Sequence, residues 1–183
     1  MKVERLSIPD LILVTPVRHG DARGFFSETF NVPRFAEAGI DVPFIQDNQS
    51  LSRDRGVIRG LHCQVDPYAQ GKLVRCIRGA IWDVAVDVRP GSATYGQWDA
   101  AELTAETGAQ LWIPPGFLHG FCTLLPDTEV LYKVTAPYDR DSERGVIWND
   151  PGLALPWPIP AHEAVLSGKD QVLPRWADLP ALF

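Results

Sequence analysis

Two histidines stand in stretches whose residue types point to chemistry. His62 ends the run Gly56-Val-Ile-Arg-Gly-Leu-His62 and is followed by Cys63 and Gln64. His119 lies inside Pro114-Pro-Gly116-Phe-Leu-His119-Gly-Phe121. An imidazole near neutral pH either ligates a metal or carries a proton, and its surroundings decide which. Other useful groups are spread along the chain. Lys72 offers a cation, Tyr132 a phenol, and Lys169-Asp170 a late carboxylate. Lysine is seldom buried without a function or a partner, which marks Lys72 at the head of an apolar run.

These groups need elements to hold them. Glycine (15) and proline (16) are spread along the whole length and punctuate short apolar runs, the pattern of an all-β sandwich or barrel. Alternation at period 2 places Trp82, Val84, Val86 and Val88 on one face of a strand, with Asp83, Ala85 and Asp87 on the other. The same rule groups Val130, Tyr132 and Val134 against Leu131, Lys133 and Thr135. Leu73–Ile77 and Gln110–Ile113 also read as strands. One short helix is expected where Asn31 can cap it, Pro33 lies in its first turn and Gly39 can end it. A helical turn is expected near Ala161–Leu166 in a tail rich in proline and tryptophan. No repeat or linker interrupts the chain. A single domain over 1–183 is expected, with both terminal segments packed on a central barrel.

Spacing raises one conflict. In a regular strand Arg59 and His62 point to opposite faces. Gly60 permits a bulge or bend that would bring both inward. Cys63 should point away from His62.

Composition narrows the functions. The net charge is −6, with 22% charged and 45% apolar residues, so an overall basic surface for nucleic acid is excluded. No apolar run is long enough to span a bilayer. Lys2, Glu4, Arg5 and Asp10 break any secretory h-region, and Cys63, Cys76 and Cys122 form no CxxC pair. A reduced, cytoplasmic location is the expectation.

The two histidine stretches resemble the paired motifs of the cupin superfamily. That resemblance implies an all-β, cupin-type jelly-roll β-barrel with short flanking helices and both histidines facing its interior. A metal-binding cupin has a second histidine at position 64 and a glutamate a few residues on. Gln64, Tyr68 and Ala69 stand there instead. Two ligands fall short of the usual three, so no metal is expected and His62 is released for proton transfer.

Further stretches extend the likeness: Arg23-Gly-Phe-Phe-Ser-Glu28, Gln46-Asp-Asn48-Gln-Ser50-Leu-Ser52, Arg59-Gly-Leu, Lys72-Leu-Val, Asp83-Val-Ala-Val-Asp87-Val-Arg89, Tyr132-Lys133, Tyr138, Glu143-Arg-Gly145, Trp148-Asn-Asp150-Pro151 and Leu166-Ser-Gly-Lys169-Asp170. Together they resemble the dTDP-4-dehydrorhamnose 3,5-epimerase family from Ile8 to Asp170. The resemblance implies a cofactor-independent isomerase acting on a dTDP-linked 4-keto-6-deoxy sugar on the way to L-rhamnose. It implies that His62 is the base, Asp170 its carboxylate partner, Tyr132 the acid on the opposite face and Lys72 a donor to the C4 oxygen. His119 matches a second pocket histidine. Arg23 and Arg59 match ligand-contacting positions, and Glu28, Gln46, Asp47 and Asn48 match positions that hold the base and sugar. Phe26 and Tyr138 offer aromatic faces, and Glu143 and Lys169 complete the implied substrate-binding set. The family's Arg23–Glu28 segment crosses to a partner, so a homodimer with shared sites is implied.

Rival readings are a single-centre nucleotide-sugar epimerase, a metal-dependent cupin and a non-catalytic sugar-binding jelly roll. Asp83 and Asp87 are expected to make structural hydrogen bonds at or inside the barrel rim. Trp148, Trp157 and Trp176 are expected to pack the tail, and His19 and His162 to lie on the surface.

Overall fold

The computed structural model describes all 183 residues. In chain order its strands are β1 (Lys2–Arg5), β2 (Ile12–Thr15), β3 (His19–Asp21) and β4 (Gly24–Phe26), then helix α1 (Val32–Glu37). There follow β5 (Gln46–Ser52), β6 (Ile58–Gln64), β7 (Lys72–Arg78), β8 (Ala80–Asp87) and β9 (Trp98–Thr104). The last strands are β10 (Gln110–Ile113), β11 (Phe117–Thr123), β12 (Thr128–Val134) and β13 (Glu143–Gly145). Three 3-10 turns mark the tail at Ala161–Glu163, Asp170–Val172 and Trp176–Asp178. Helix α1 forms as its residues direct: the Asn31 side chain accepts from the Arg34 amide at 3.2 Å, and proline occupies the first turn. No helix is long and apolar enough to cross a membrane.

The strands make two antiparallel sheets, ordered β1-β2-β10-β7-β12-β5 and β13-β6-β11-β8-β9, plus the β3-β4 hairpin. Inward side chains of both sheets fill the space between them. Val74, Leu111 and Val130 from the first sheet meet Ile81, Leu103, Phe117 and Phe121 from the second. Each large aliphatic side chain removed from water contributes about 1.5–3 kcal/mol, so this interlayer drives closure. The result is the expected all-β jelly-roll barrel of cupin type.

The tail explains why β8 reads as apolar on one face and acidic on the other. Val84, Val86 and Val88 face outward but are covered by Leu153, Leu155, Trp157, Trp176 and Leu182. Trp157 packs on Trp82 and Trp148 and donates its indole N–H to the Trp148 carbonyl at 2.7 Å. Asp83 and Asp87 lie on the opposite face, both fully buried. As expected, the tail tryptophans pack, while His19 and His162 are exposed.

The conflict at Arg59 resolves through a bulge. His119 pairs with His62, but Phe121 pairs with Arg59, so β6 spends one residue more than β11 between the two pairs. The extra residue lies at Gly60–Leu61. Gly60 has φ +122°, and a Cβ there would sit 2.6 Å from the Gly120 Cα and 2.7 Å from the His119 carbonyl. Only glycine fits. Leu61 and Cys63 turn to the outer cluster, and His62 stays inward.

Two predictions follow from this scaffold. Gly60→Ala should cost about 3 kcal/mol or more, from strained backbone plus overpacking, and should also displace His62. Urea unfolding within 1 kcal/mol of the parent would contradict it. The second concerns Asp87, which accepts from Arg89 Nε at 2.9 Å, Arg89 Nη2 at 2.7 Å, Ser92 Oγ at 2.6 Å and Thr94 Oγ1 at 2.6 Å. Burial alone would raise its pKa, but these donors win and hold it at about 2. A carboxyl depressed in the fold stabilises above its ordinary pKa and loses that contribution as pH falls through the folded value. The protein should therefore lose about 2 kcal/mol from this group between roughly pH 5 and pH 2. Asp87→Asn should flatten the stability curve in that window; an unchanged slope would reject the assignment.

Candidate active site

Several strands and the tail converge on one cavity of about 480 Å³. β6 supplies Arg59 and His62, β7 Lys72, β11 His119 and Phe121, β12 Tyr132, and the tail Asp170. His62 and His119 are direct partners across the β6–β11 ladder, which puts both rings on the interior face. Val57, Ile58, Phe121, Val165 and Leu166 give the cavity an apolar wall. A smaller cavity of about 180 Å³ adjoins it, sharing His62, Lys72 and Tyr132 and adding Gln46, Asn48, Tyr138 and Glu143.

His62 Nε2–H donates to Asp170 Oδ1 at 2.6 Å. That bond leaves Nδ1 as the ring nitrogen open to a ligand, and it favours one tautomer. Asp170 is 4% exposed, so its charge needs partners. Burial pushes its pKa up, but the His62 bond and the Ser167 hydroxyl outweigh this and hold it below the usual carboxylate range. The carboxylate stays ionised at neutral pH and can steady an imidazolium.

The segment carrying Asp170 is tied down at several points. Val165 bridges to Val57 in parallel, with the Ile58 amide donating to the Val165 carbonyl and the Val165 amide to the Gly56 carbonyl, each at 2.9 Å. Ser167 Oγ accepts from the Asp170 amide at 3.1 Å. Lys169 ion-pairs with Glu143 of β13, to which Tyr138 also donates at 3.1 Å.

A second pair lies beside the first. His119 Nε2–H donates to Asp83 Oδ1 at 2.7 Å, with both side chains buried. Asp83 Oδ2 has no hydrogen-bond partner. Lys72 makes no ion pair. Burial draws its pKa down, and Cys63, Asp83 and Glu143 oppose that. Its Nζ carries N–H donors free to meet a developing oxyanion. Burial raises the Tyr132 phenol, partly offset by Arg59, so it is a protonated acid at neutral pH. Arg59 is braced by β5: its Nε donates to Ser52 Oγ at 3.3 Å and its Nη2 to the Leu51 carbonyl at 3.2 Å.

Gln64 occupies the place where a metal-binding cupin carries a ligand, and its amide is committed elsewhere. It donates to the Tyr68 carbonyl at 2.7 Å and the Pro137 carbonyl at 3.0 Å, and accepts from the Asp139 amide at 2.9 Å.

Of the residues expected from sequence, His62, Lys72, Tyr132, Asp170, Arg59, His119 and Lys169 line the larger cavity. Gln46, Asn48, Tyr138 and Glu143 line the smaller one. Asp47 lines neither cavity: alternation along β5 turns it to the other sheet face, where it pairs with Lys133 at 2.9 Å. Arg23, Phe26 and Glu28 line neither cavity of their own chain. Arg23 pairs with Asp21 at 2.6 Å, Glu28 with Arg34 at 3.3 Å, and Phe26 is 71% exposed. Sequence reasoning treated Asp83 as a structural hydrogen-bonder and missed that its partner is His119. His119 stands opposite Ala85 and Asp83 opposite Phe121, so the two side chains meet diagonally across the β8–β11 ladder, and only the register reveals it. Ser50 and Ser167 stood inside the matched stretches but were given no role there, and both line the larger cavity.

Comparison with known proteins agrees with this geometry. Residues 5–178 match the family model described as dTDP-4-dehydrorhamnose 3,5-epimerase. The chain is 52% identical over 183 residues to a dTDP-4-dehydrorhamnose 3,5-epimerase of Sinorhizobium fredii, covering 100% of this chain and 93% of that one. A crystal structure of the Bacillus anthracis enzyme of that name, with TDP and PPi bound, superposes with TM-score 0.92 at 46% identity, covering 95% and 98% of the two chains. A Legionella pneumophila dTDP-6-deoxy-D-glucose-3,5-epimerase in complex with dTDP-4-keto-L-rhamnose gives TM-score 0.93 at 41% identity, covering 98% and 95%. Matched by the family model over nearly its full length, this chain belongs to the dTDP-4-dehydrorhamnose 3,5-epimerase family.

Proposed function

We propose that this protein inverts C3 and C5 of dTDP-4-dehydro-6-deoxy-D-glucose to give dTDP-4-dehydro-L-rhamnose. The observation that carries it is the His62–Asp170 pair, at 2.6 Å, in a cavity also lined by Tyr132 and Lys72. Both carbons flank the C4 ketone, so their protons are acidified. His62 Nδ1 takes one proton, and the electron pair moves through the C–C bond to the C4 oxygen. The Lys72 ammonium steadies that enolate, a contribution of a few kcal/mol when a donor is prepositioned. The enolate collapses to the ketone as Tyr132 returns a proton to the opposite face, and solvent then takes the proton from His62 and restores the Tyr132 phenol before the second carbon is inverted. Nothing is oxidised or reduced, so no redox cofactor enters.

Asp170 stabilises the imidazolium that forms at His62 and keeps the ring oriented. Arg59 offers a guanidinium for the diphosphate, and Tyr138 an aromatic face for the base. The proposal extends to a single-domain, cytoplasmic enzyme, independent of metal, that serves L-rhamnose supply for surface polysaccharide. It extends also to a homodimer whose exposed β3-β4 hairpin carries Arg23 and Phe26 toward the partner's cavity. The exposure of Phe25 and Phe26, 60% and 71%, supports a partner for that hairpin.

The test is turnover of the 4-keto sugar nucleotide, coupled to a reductase that consumes the inverted product. His62→Ala should abolish turnover while dTDP affinity stays within a few-fold. Near-normal turnover would remove His62 as the base. Asp170→Asn should lower kcat by about 10²–10⁴ with little change in KM, since it removes a charge that matters only once His62 is protonated. A loss confined to KM would instead make Asp170 a binding residue.

A further inference from the structure

Among the buried polar side-chain atoms of the whole chain, two meet no hydrogen-bond partner: Asp83 Oδ2, behind His119, and Ser50 Oγ. Ser50 lines the larger cavity together with His62, Lys72, His119 and Tyr132. An unpartnered hydroxyl shielded from water is a cost to the fold, retained where something else satisfies it.

The neighbours of Ser50 are already engaged. Gln46, Asn48, Ser50 and Ser52 share one face of β5 by alternation. Asn48 Oδ1 accepts from Gln46 Nε2 at 2.7 Å, and Ser52 Oγ accepts from Arg59 at 3.3 Å. The backbone of β5 is paired with β12, Ser50 standing opposite Val130 and Asn48 opposite Tyr132. Ser50 is thus the free hydroxyl in a row of committed side chains. The same row spans the two cavities. Gln46 and Asn48 line the smaller one, and Ser50 lines only the larger one, where the proton-transfer groups gather.

We propose that Ser50 hydrogen-bonds the C2 hydroxyl of the bound sugar and anchors the ring while its other carbons are inverted. This rests on the epimerase assignment above. A neutral hydroxyl in the proton-transfer cavity suits the sugar, whereas a diphosphate calls for cationic donors. In a 4-keto-6-deoxy hexose the hydroxyls are at C2 and C3. The C3 hydroxyl changes face during inversion, so a fixed side chain cannot hold it throughout. The C2 hydroxyl keeps its configuration, and C2 neighbours C3 without being ionised. A contact made equally in ground and transition states appears in KM rather than in kcat.

The experiment measures binding of three probes to the full-length protein: dTDP, dTDP-glucose and dTDP-2-deoxyglucose. The parent should bind dTDP-glucose about tenfold more tightly than the 2-deoxy compound. Ser50→Ala should erase that preference, leave dTDP affinity unchanged, and raise KM for the 4-keto substrate about tenfold with kcat within threefold. Because the lost hydroxyl has no partner in the free protein, the variant should melt at the parent's temperature or slightly above. A purely structural serine would lower it. A parent that binds dTDP but does not distinguish the two sugars overturns the Ser50 assignment and leaves the epimerase reading intact. So does a variant that keeps the preference. A parent that binds none of the three nucleotides overturns both.

Discussion

A buried carboxylate facing an imidazole is the constraint from which the site is built. Asp170 cannot hold a charge at 4% exposure unless donors surround it, and His62 is the main one. The pair ties a tail residue to a barrel strand far away in sequence. Everything that fixes the tail therefore also fixes the His62 ring. The Val57–Val165 bridge, the Ser167 cap and the Glu143–Lys169 ion pair each restrict where the carboxylate can go. The exposed ion pair contributes little alone. Its value lies in adding to a set of restraints around one carboxylate.

The same constraint explains the irregular strand. His62 has to face inward beside His119, and Arg59 has to reach the same cavity, although three residues separate them. A regular β6 cannot do both. The bulge at Gly60–Leu61 supplies the missing half-turn, and close approach of Gly60 to Gly120 lets the two backbones meet there. Catalytic geometry thus dictates two glycines whose own side-chain chemistry is nil. The outer valine face of β8 is the complementary case. The tail that delivers Asp170 also covers Val84 and Val86, so one segment completes both the core and the site.

Much of this was legible in the sequence because it depends on period and spacing. Alternation placed Tyr132 with Val130 on the inner face and Asp83 opposite the valines of β8. The conflict between Arg59 and His62, set beside Gly60, located the bulge. What period alone cannot supply is register between strands. Asp83 finds His119 only through the β8–β11 pairing, so its role as that ring's partner was hidden. Asp47 sits inside a motif whose flanking residues reach the cavity, yet alternation turns it to Lys133 on the outer sheet face. Ser50 stood in a matched stretch without a role, since a serine in a strand is unremarkable until its hydroxyl is seen to lack a partner. Arg23, Phe26 and Glu28 line neither cavity of this chain, and spacing along the sequence carries no sign of that.

The central claim is that one base, with one acid facing it, moves protons at two carbons of a single sugar. Incorporation of solvent deuterium, followed by NMR while the enzyme turns over the 4-keto sugar nucleotide in deuterated water, tests it most directly. The account predicts deuterium at both C3 and C5 of the product, and none at either carbon with the His62→Ala protein. Deuterium at only one of the two carbons, or exchange that survives the loss of His62, would contradict it.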